Sequence, residues 1–241
     1  MIALLAQAGP VIPDFGAGSN CVRNNDTFCW DWFKDNWDST FGPRLVEHIE
    51  LTLIAVGIGC AIAFAVALLA YRESWLELPF VLFSGFLYTI PSLALFQLLV
   101  PITGLTRLTV EIALVSYTLL ILFRNMLIGL RGVPDDVREA ARGMGLTRRQ
   151  TLLRVELPLA LPAILAGVQI ATVTVISLAT VAAFVVDEGL GSPIFDAINR
   201  GTFKTELIAA AVLAILLGFL AYALTALLQR VLTPWARART A

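Results

Sequence analysis

The sequence predicts an all-α polytopic membrane protein of about five transmembrane helices, with a cytoplasmic loop between spans three and four. Three observations carry that prediction. Of 241 residues, 58% are hydrophobic and 15% are charged, against about 45–50% and about 25% in an average soluble domain. Stretches 51–71, 78–106, 157–186 and 207–229 hold no Asp, Glu, Lys or Arg, and ~20 apolar residues suffice to cross ~30 Å of hydrocarbon as a helix. Basic residues, finally, cluster in 131–154. With 17 Lys and Arg against 18 Asp and Glu, no general basic face exists for nucleic acid.

Residues 1–43 read as an extracytoplasmic N-terminal extension. Residues 1–8 are apolar but lack a basic n-region, so no cleaved signal peptide is expected. Trp30, Trp32 and Trp37 suit a membrane interface. Cys21 and Cys29 lie where a disulfide persists, and pairing and free thiols both stand open. Asn25-Asp26-Thr27 is a glycosylation triplet that also arises by chance. His48, flanked by Glu47 and Glu50, reads as an interface histidine rather than a metal ligand, and no metal site is expected.

Residues 44–235 form the transmembrane domain. Span one carries small residues at 55, 57, 59, 61, 63 and 65, which allow close helix approach, and Cys60 among them reads as packing. In span two Tyr88-Thr89-Ile90-Pro91-Ser92 kinks or breaks the helix, because proline removes a donor and frees a carbonyl. Tyr88, Thr89, Pro91 and Ser92 are therefore either translocation-pathway residues or a packed kink. Span three, 108–130, contains Glu111 and Arg124, both close enough to an end to snorkel. The fourth apolar run is ~45 Å long as one helix, so Pro158 and Pro162 place its start at the interface. Residues 187–193 read as a turn and 194–198 as a short helix at the outer face.

With the N-terminus outside, the inner segments hold ten Lys and Arg and the outer segments six. The positive-inside bias thus places the C-terminus and a short tail, 236–241, in the cytoplasm.

The loop 131–158 carries the most specific signal. Pro134, Asp135 and Asp136 start a helix, Gly143 and Gly145 end it, and Thr147 with Gln150 forms a capping box for a second helix limited by Pro158. The result is a helix–turn–helix, small on one side at Ala140, Ala141 and Gly145. It is too short for a DNA-binding domain. A connector on lipid headgroups and a docking element for a soluble partner remain.

Glu139-Ala140-Ala141, then Gly145, then Val155-Glu156-Leu157-Pro158 resembles the EAA loop of ABC importer permeases: E-A-A, three residues, G, nine residues, I-x-L-P. Only Val155 departs from it. The resemblance implies the type I, methionine-importer-like fold and a coupling helix seated in a groove of an ATPase subunit. Arg138, Glu139, Ala140, Ala141, Arg142, Gly145 and Pro158 inherit that coupling role by resemblance.

Tyr88 to Ala94, Arg124-Asn125, Arg138 to Gly145, Leu157 to Pro162 and Gly189-Leu190-Gly191 further resemble osmoprotectant permeases for glycine betaine, carnitine and choline. Where that family has Gly-Ala-Gly, this chain has Val186-Asp187-Glu188. The two acids either draw a quaternary ammonium cation or are solvated loop charges, the latter being the expectation.

The chain has two lysines, Lys34 and Lys204, and neither follows glycine, so it holds no P-loop. No enzyme activity is expected. ATP and Mg would belong to a pair of partner ATPase subunits. The resemblance further implies a second permease, identical or related, an extracytoplasmic binding protein and membrane lipid, in a bacterial plasma membrane. The rival functions are an ABC permease for methionine or another amino acid, and an ion-coupled carrier. The span interiors lack the mid-membrane carboxylates of the latter.

Overall fold

A computed structural model describes residues 19–235. The stretch 1–8 and the tail 236–241, with Arg237 and Arg239, lie outside the described residues. The order is α1 (Asn20–Arg23), α2 (Trp30–Asp35), a π turn (Trp37–Phe41) opening α3 (Gly42–Arg72), α4 (Glu77–Thr89), α5 (Ser92–Thr103), α6 (Arg107–Arg131), α7 (Asp135–Gly143), α8 (Arg148–Thr151), a π turn (Leu152–Glu156), α9 (Leu157–Ala182), α10 (Gly191–Asn199) and α11 (Lys204–Leu232). The described residues contain no strand.

Helix α6 is the axis of the bundle, buried along most of its length between α3 and α9. Lipid offers apolar helices no hydrophobic drive to associate, so close packing must supply the attraction. On α3 the small residues that do this are Ala55, Gly59, Ala63 and Ala67, one per helical turn and all buried. The alternating set read from the sequence is thus split: Gly57, Ala61 and Ala65 face outward. A Cβ on Gly59 would overlap Thr118 Oγ1 of α6.

Among the described residues, four helices are long and apolar enough to cross a membrane: Trp37–Arg72, Arg107–Arg131, Arg148–Ala182 and Lys204–Leu232. The remaining crossing is broken, since α4 and α5 meet at 100°. Ile90 takes an extended conformation, ψ 128°, as the residue before a proline prefers. The ends of this pair fix its course. Glu77 pairs with Arg131 at the C-terminal end of α6, at 2.7 Å. Thr103 lies 2.6 Å from Thr109 at the other end of α6. The pair therefore runs the full length of α6 and makes the fifth crossing.

Several local expectations are corrected. Pro158 does not limit a short helix. The π turn Leu152–Glu156 carries α8 straight into α9, because a wide turn relaxes the carbonyl ladder that the proline ring would otherwise strike. Gly191 and Pro193 belong to α10, where proline is tolerated in the first turn.

At the end of the bundle away from α7, Glu111 does not snorkel; it is buried beside Arg107, 3.9 Å away. His48 is no interface residue either, being fully buried. Leu190 N–H donates to its Nδ1 at 3.2 Å, so Nε2 carries the proton and donates to Ile176 O at 3.0 Å. Both ring nitrogens are thereby satisfied, and His48 pins the loop after α9 to α3. Among the described residues no group of three or more metal-ligating side chains comes together. Of the two loop acids, Asp187 is paired with Arg44 at 2.8 Å. Glu188 is half-buried 3.8 Å from Arg107, and burial pushes its carboxyl above the usual range against the pull of that arginine. Asp187 is thus an exposed loop charge held by an arginine, as expected of a solvated acid, whereas Glu188 is not.

The extension folds onto this same end. Cys21 and Cys29 are joined by a disulfide of 2.02 Å. The Trp32 ring meets Phe203 edge-on at 4.8 Å. The Asn25 amide, within the glycosylation triplet, is engaged on both sides: it accepts from Lys204 N–H at 2.9 Å and donates to Thr202 O at 3.0 Å.

One stability prediction arises here. A Cβ on Gly191 would collide with the Thr180 carbonyl of α9, whereas one on Gly218 meets nothing within 4 Å. Gly191→Ala is therefore expected to destabilise the purified chain by about 1–3 kcal/mol through overpacking, and Gly218→Ala to be neutral or slightly stabilising. Melting curves in detergent check this; equal melting temperatures would contradict it.

Candidate functional site

The loop between α6 and α9 forms a built-up site at one end of the bundle. Helix α7 starts where Pro134 fixes φ, with Asp135 and Asp136 at the positive end of its dipole. It ends in a Schellman motif: Leu146 N–H bonds Ala141 O at 3.1 Å and Gly145 N–H bonds Arg142 O at 2.9 Å. That motif needs a left-handed residue, and Gly145 has φ +81°. The capping box then starts α8, with Thr147 N–H to Gln150 Oε1 at 2.9 Å and Gln150 N–H to Thr147 Oγ1 at 3.4 Å.

Arg138 ties this helix to the membrane domain. Its side chain is only 14% exposed. Nε donates to Glu156 Oε1 at 3.1 Å, one terminal nitrogen donates to the Leu130 carbonyl at 3.0 Å, and the other to Asp135 Oδ1 at 2.6 Å. Tyr71, at the end of α3, donates its hydroxyl to the same Glu156 oxygen at 2.9 Å, and the guanidinium lies 5.9 Å from its ring centroid. Burial works against the Arg138 charge, but the hydrogen bond to Asp135 and the fields of Tyr71, Glu156 and Asp135 outweigh it and raise its pKa. One side chain thus joins α7 to the ends of α3 and α6 and to the π turn that leads into α9.

The residues expected to form the site divide into two sets. Glu139, Ala140, Arg142 and Gly145 are exposed. Ala141 is 1% exposed and faces the bundle, so the expected small face of Ala140, Ala141 and Gly145 is not one surface. Arg138 is turned inward, and Pro158 sits half-buried in the continuous helix. Reading the sequence missed Tyr71, Glu156 and the Leu130 carbonyl. It also missed Met144, a large apolar side chain 72% exposed at the tip. A cleft of 880 Å³ behind α7 is lined by Arg72, Arg131, Arg142, Arg148 and Arg149 among others. A small helix held rigidly by its buried face, with a charged and apolar outer face, is suited to transmit a push from a soluble partner into three spans at once.

The expected pathway residues Tyr88, Thr89, Pro91 and Ser92 come together elsewhere, at the break between α4 and α5. They line a cavity of 290 Å³ with Tyr117 and Thr174.

Comparison with known proteins agrees with this architecture. The profile of the family described as binding-protein-dependent transport system inner membrane component matches residues 55–237. The chain is similar to the carnitine transport permease protein OpuCB of Listeria monocytogenes, 35% identical over 188 residues, or 74% of this chain and 85% of that protein. It is also similar to the glycine betaine/carnitine/choline transport system permease protein OpuCB of Bacillus subtilis, 32% identical over 189 residues, covering 78% and 86%. Among solved structures, an inward-facing conformation of the MetNI methionine ABC transporter matches with a TM-score of 0.71. At 22% identity, that match covers 79% of this chain and 94% of that one, which speaks for the fold.

Proposed function

We propose that this chain, which belongs to the family of binding-protein-dependent transport system inner membrane components and is an ABC importer permease subunit, moves osmoprotectants such as glycine betaine. The observation that carries the cargo assignment is the similarity over three quarters of the chain to permeases named for carnitine, choline and glycine betaine. Methionine or another amino acid is the weaker reading, since MetNI shares the fold at low identity. An ion-coupled carrier finds no support in the family.

In this reading the exposed face of α7 rests on an ATPase subunit that binds ATP and Mg. Closure of the ATPase pair moves α7, and Arg138 passes the movement to α3, α6 and α9. The permease pair then shifts from inward-open to outward-open, a change that requires contacts differing between the two states. The far end of the bundle, bearing the disulfide Cys21–Cys29, faces outward in this scheme, in keeping with an oxidising compartment and with the arginines around α7 lying inside. A second permease, identical or related, completes the pore, and an extracytoplasmic binding protein delivers the cargo.

Isolation of the tagged chain from its native membranes in mild detergent tests this assembly. An ATPase, a permease and a binding protein are expected to co-purify, and the binding protein is expected to bind glycine betaine, carnitine or choline. Recovery of the chain alone, where a known membrane complex survives, would overturn the assembly. A binding protein specific for methionine would overturn the cargo.

A further inference from the structure

The break between α4 and α5 holds an aromatic corner that the coupling machinery does not use. Tyr88, on the last turn of α4, and Tyr117, midway along α6, stand 6.0 Å apart between centroids at an interplanar angle of 68°. The Tyr117 hydroxyl donates to the Ile90 carbonyl, which fixes the buried ring against the break. Tyr88 is 43% exposed, so the corner is open on one side. The adjoining 290 Å³ cavity is lined by Thr89, Ser92, Thr174 and Leu178 besides the two tyrosines, and no Asp, Glu, Lys, Arg or His reaches it. Thr89 and Thr174 turn their hydroxyls back to their own helices, onto Phe86 O and Ile170 O.

The backbone supplies the charge bias. After α4, Ile90 N–H returns to Leu87 O, and the next backbone bond of this segment is Leu95 to Pro91. The Tyr88 and Thr89 carbonyls thus receive no donor from the residues that follow them, and they form the negative end of α4. In a discontinuous membrane helix such an end coordinates a cation. The open Tyr88 ring, seated on the edge-packed Tyr117, adds a second negative surface. A primary ammonium would need several hydrogen-bond acceptors to replace its water, and a carboxylate would be drawn instead to the other side of the break, where α5 starts at Ser92. A quaternary ammonium has no N–H to satisfy and is held by aromatic faces alone. Pockets for drug-sized ligands start at about 300 Å³, so this one suits a small head group.

We propose that the Tyr88–Tyr117 corner is a binding site for the quaternary ammonium group of the cargo inside the permease. The proposal rests on the osmoprotectant reading above, and it makes the permease itself, besides any binding protein, selective for that group.

The test uses the complete importer in proteoliposomes, with labelled glycine betaine. Tyr88→Leu is expected to raise the half-saturating concentration for uptake about tenfold, and Tyr88→Phe, which keeps the ring, to restore it to within about threefold of the parent. Recovery of the assembled complex by size exclusion establishes that each variant folds. In the parent importer bearing no substitution, a neutral tert-butyl isostere of the cargo is expected to compete at least about tenfold more weakly than the cargo at the detergent-solubilised permease–ATPase complex without binding protein. If Tyr88→Leu assembles and transports like the parent, or if the neutral isostere competes equally, the aromatic site is wrong while the osmoprotectant reading stands. If the parent importer moves no quaternary ammonium compound at all, the osmoprotectant reading itself fails.

Discussion

Arg138→Met is expected to cut uptake by about 100-fold or more while the chain still inserts in the membrane. The substitution keeps the length and apolar stem of the side chain but removes the guanidinium from Glu156, whose side chain is 9% exposed. Breaking one side of a buried pair costs about 3–5 kcal/mol, because the remaining charge has lost its partner; here Glu156 would retain only the Tyr71 hydroxyl. The bond to Leu130 O vanishes as well, with that to Asp135 inside α7, so α7 loses these polar ties to α6 and to the π turn before α9. ATP hydrolysis by the partner should then proceed without responding to a loaded binding protein. Replacing both Arg138 and Glu156 by methionine removes the orphaned charge. That variant is expected to recover thermal stability but not uptake, since the link to the carbonyl at the end of α6 stays broken. Uptake by the single variant at parental rates, with parental amounts of chain in the membrane, would show that Arg138 carries no coupling.

The contrast between Arg138 and its neighbours marks where reading the sequence stops. The five crossings were legible because apolar run length is a local property, and so was the break at Pro91, where one residue dictates the conformation of the residue before it. The capping box Thr147–Gln150 and the stop at Gly145 were legible for the same reason. The alliance of Arg138 with Glu156 and Tyr71 was not. Glu156 lies 18 residues from Arg138, and Tyr71 lies 85 residues before Glu156, and nothing in the sequence pairs the three. Only the packing of α3, α6 and α9 brings them to one point. His48 was misread through the same gap: its flanking acids are local, but Ile176 O and Leu190 N–H, which decide its state, arrive from α9 and the loop after it. Tyr117 was hidden for a different reason. Inside an apolar run it reads as one more packing residue, and its partner is a carbonyl released by the proline break.

Glu139→Ala and Gly145→Trp are expected to abolish uptake for reasons opposite to Arg138→Met, and this difference makes them diagnostic. Glu139 is exposed and makes no hydrogen bond or ion pair with the described residues. A Cβ on Gly145 meets nothing within 4 Å. Neither side chain therefore has an internal role to lose. Gly145→Trp does bear the strain of a left-handed residue at φ +81°, about 1 kcal/mol, and Gly145→Ala bears the same strain with almost none of the bulk. If a partner's groove closes over this surface, Trp must fail and Ala must retain most uptake, because bulk outside the chain separates the two. Glu139→Ala removes a charge that only a partner can pair. Membrane insertion, melting behaviour and yield should change little in all three variants, which assigns any loss to the interface. The readouts are uptake in proteoliposomes and co-purification of the ATPase. Normal uptake in both Glu139→Ala and Gly145→Trp would remove α7 from the coupling path and return the loop to a connector on lipid headgroups.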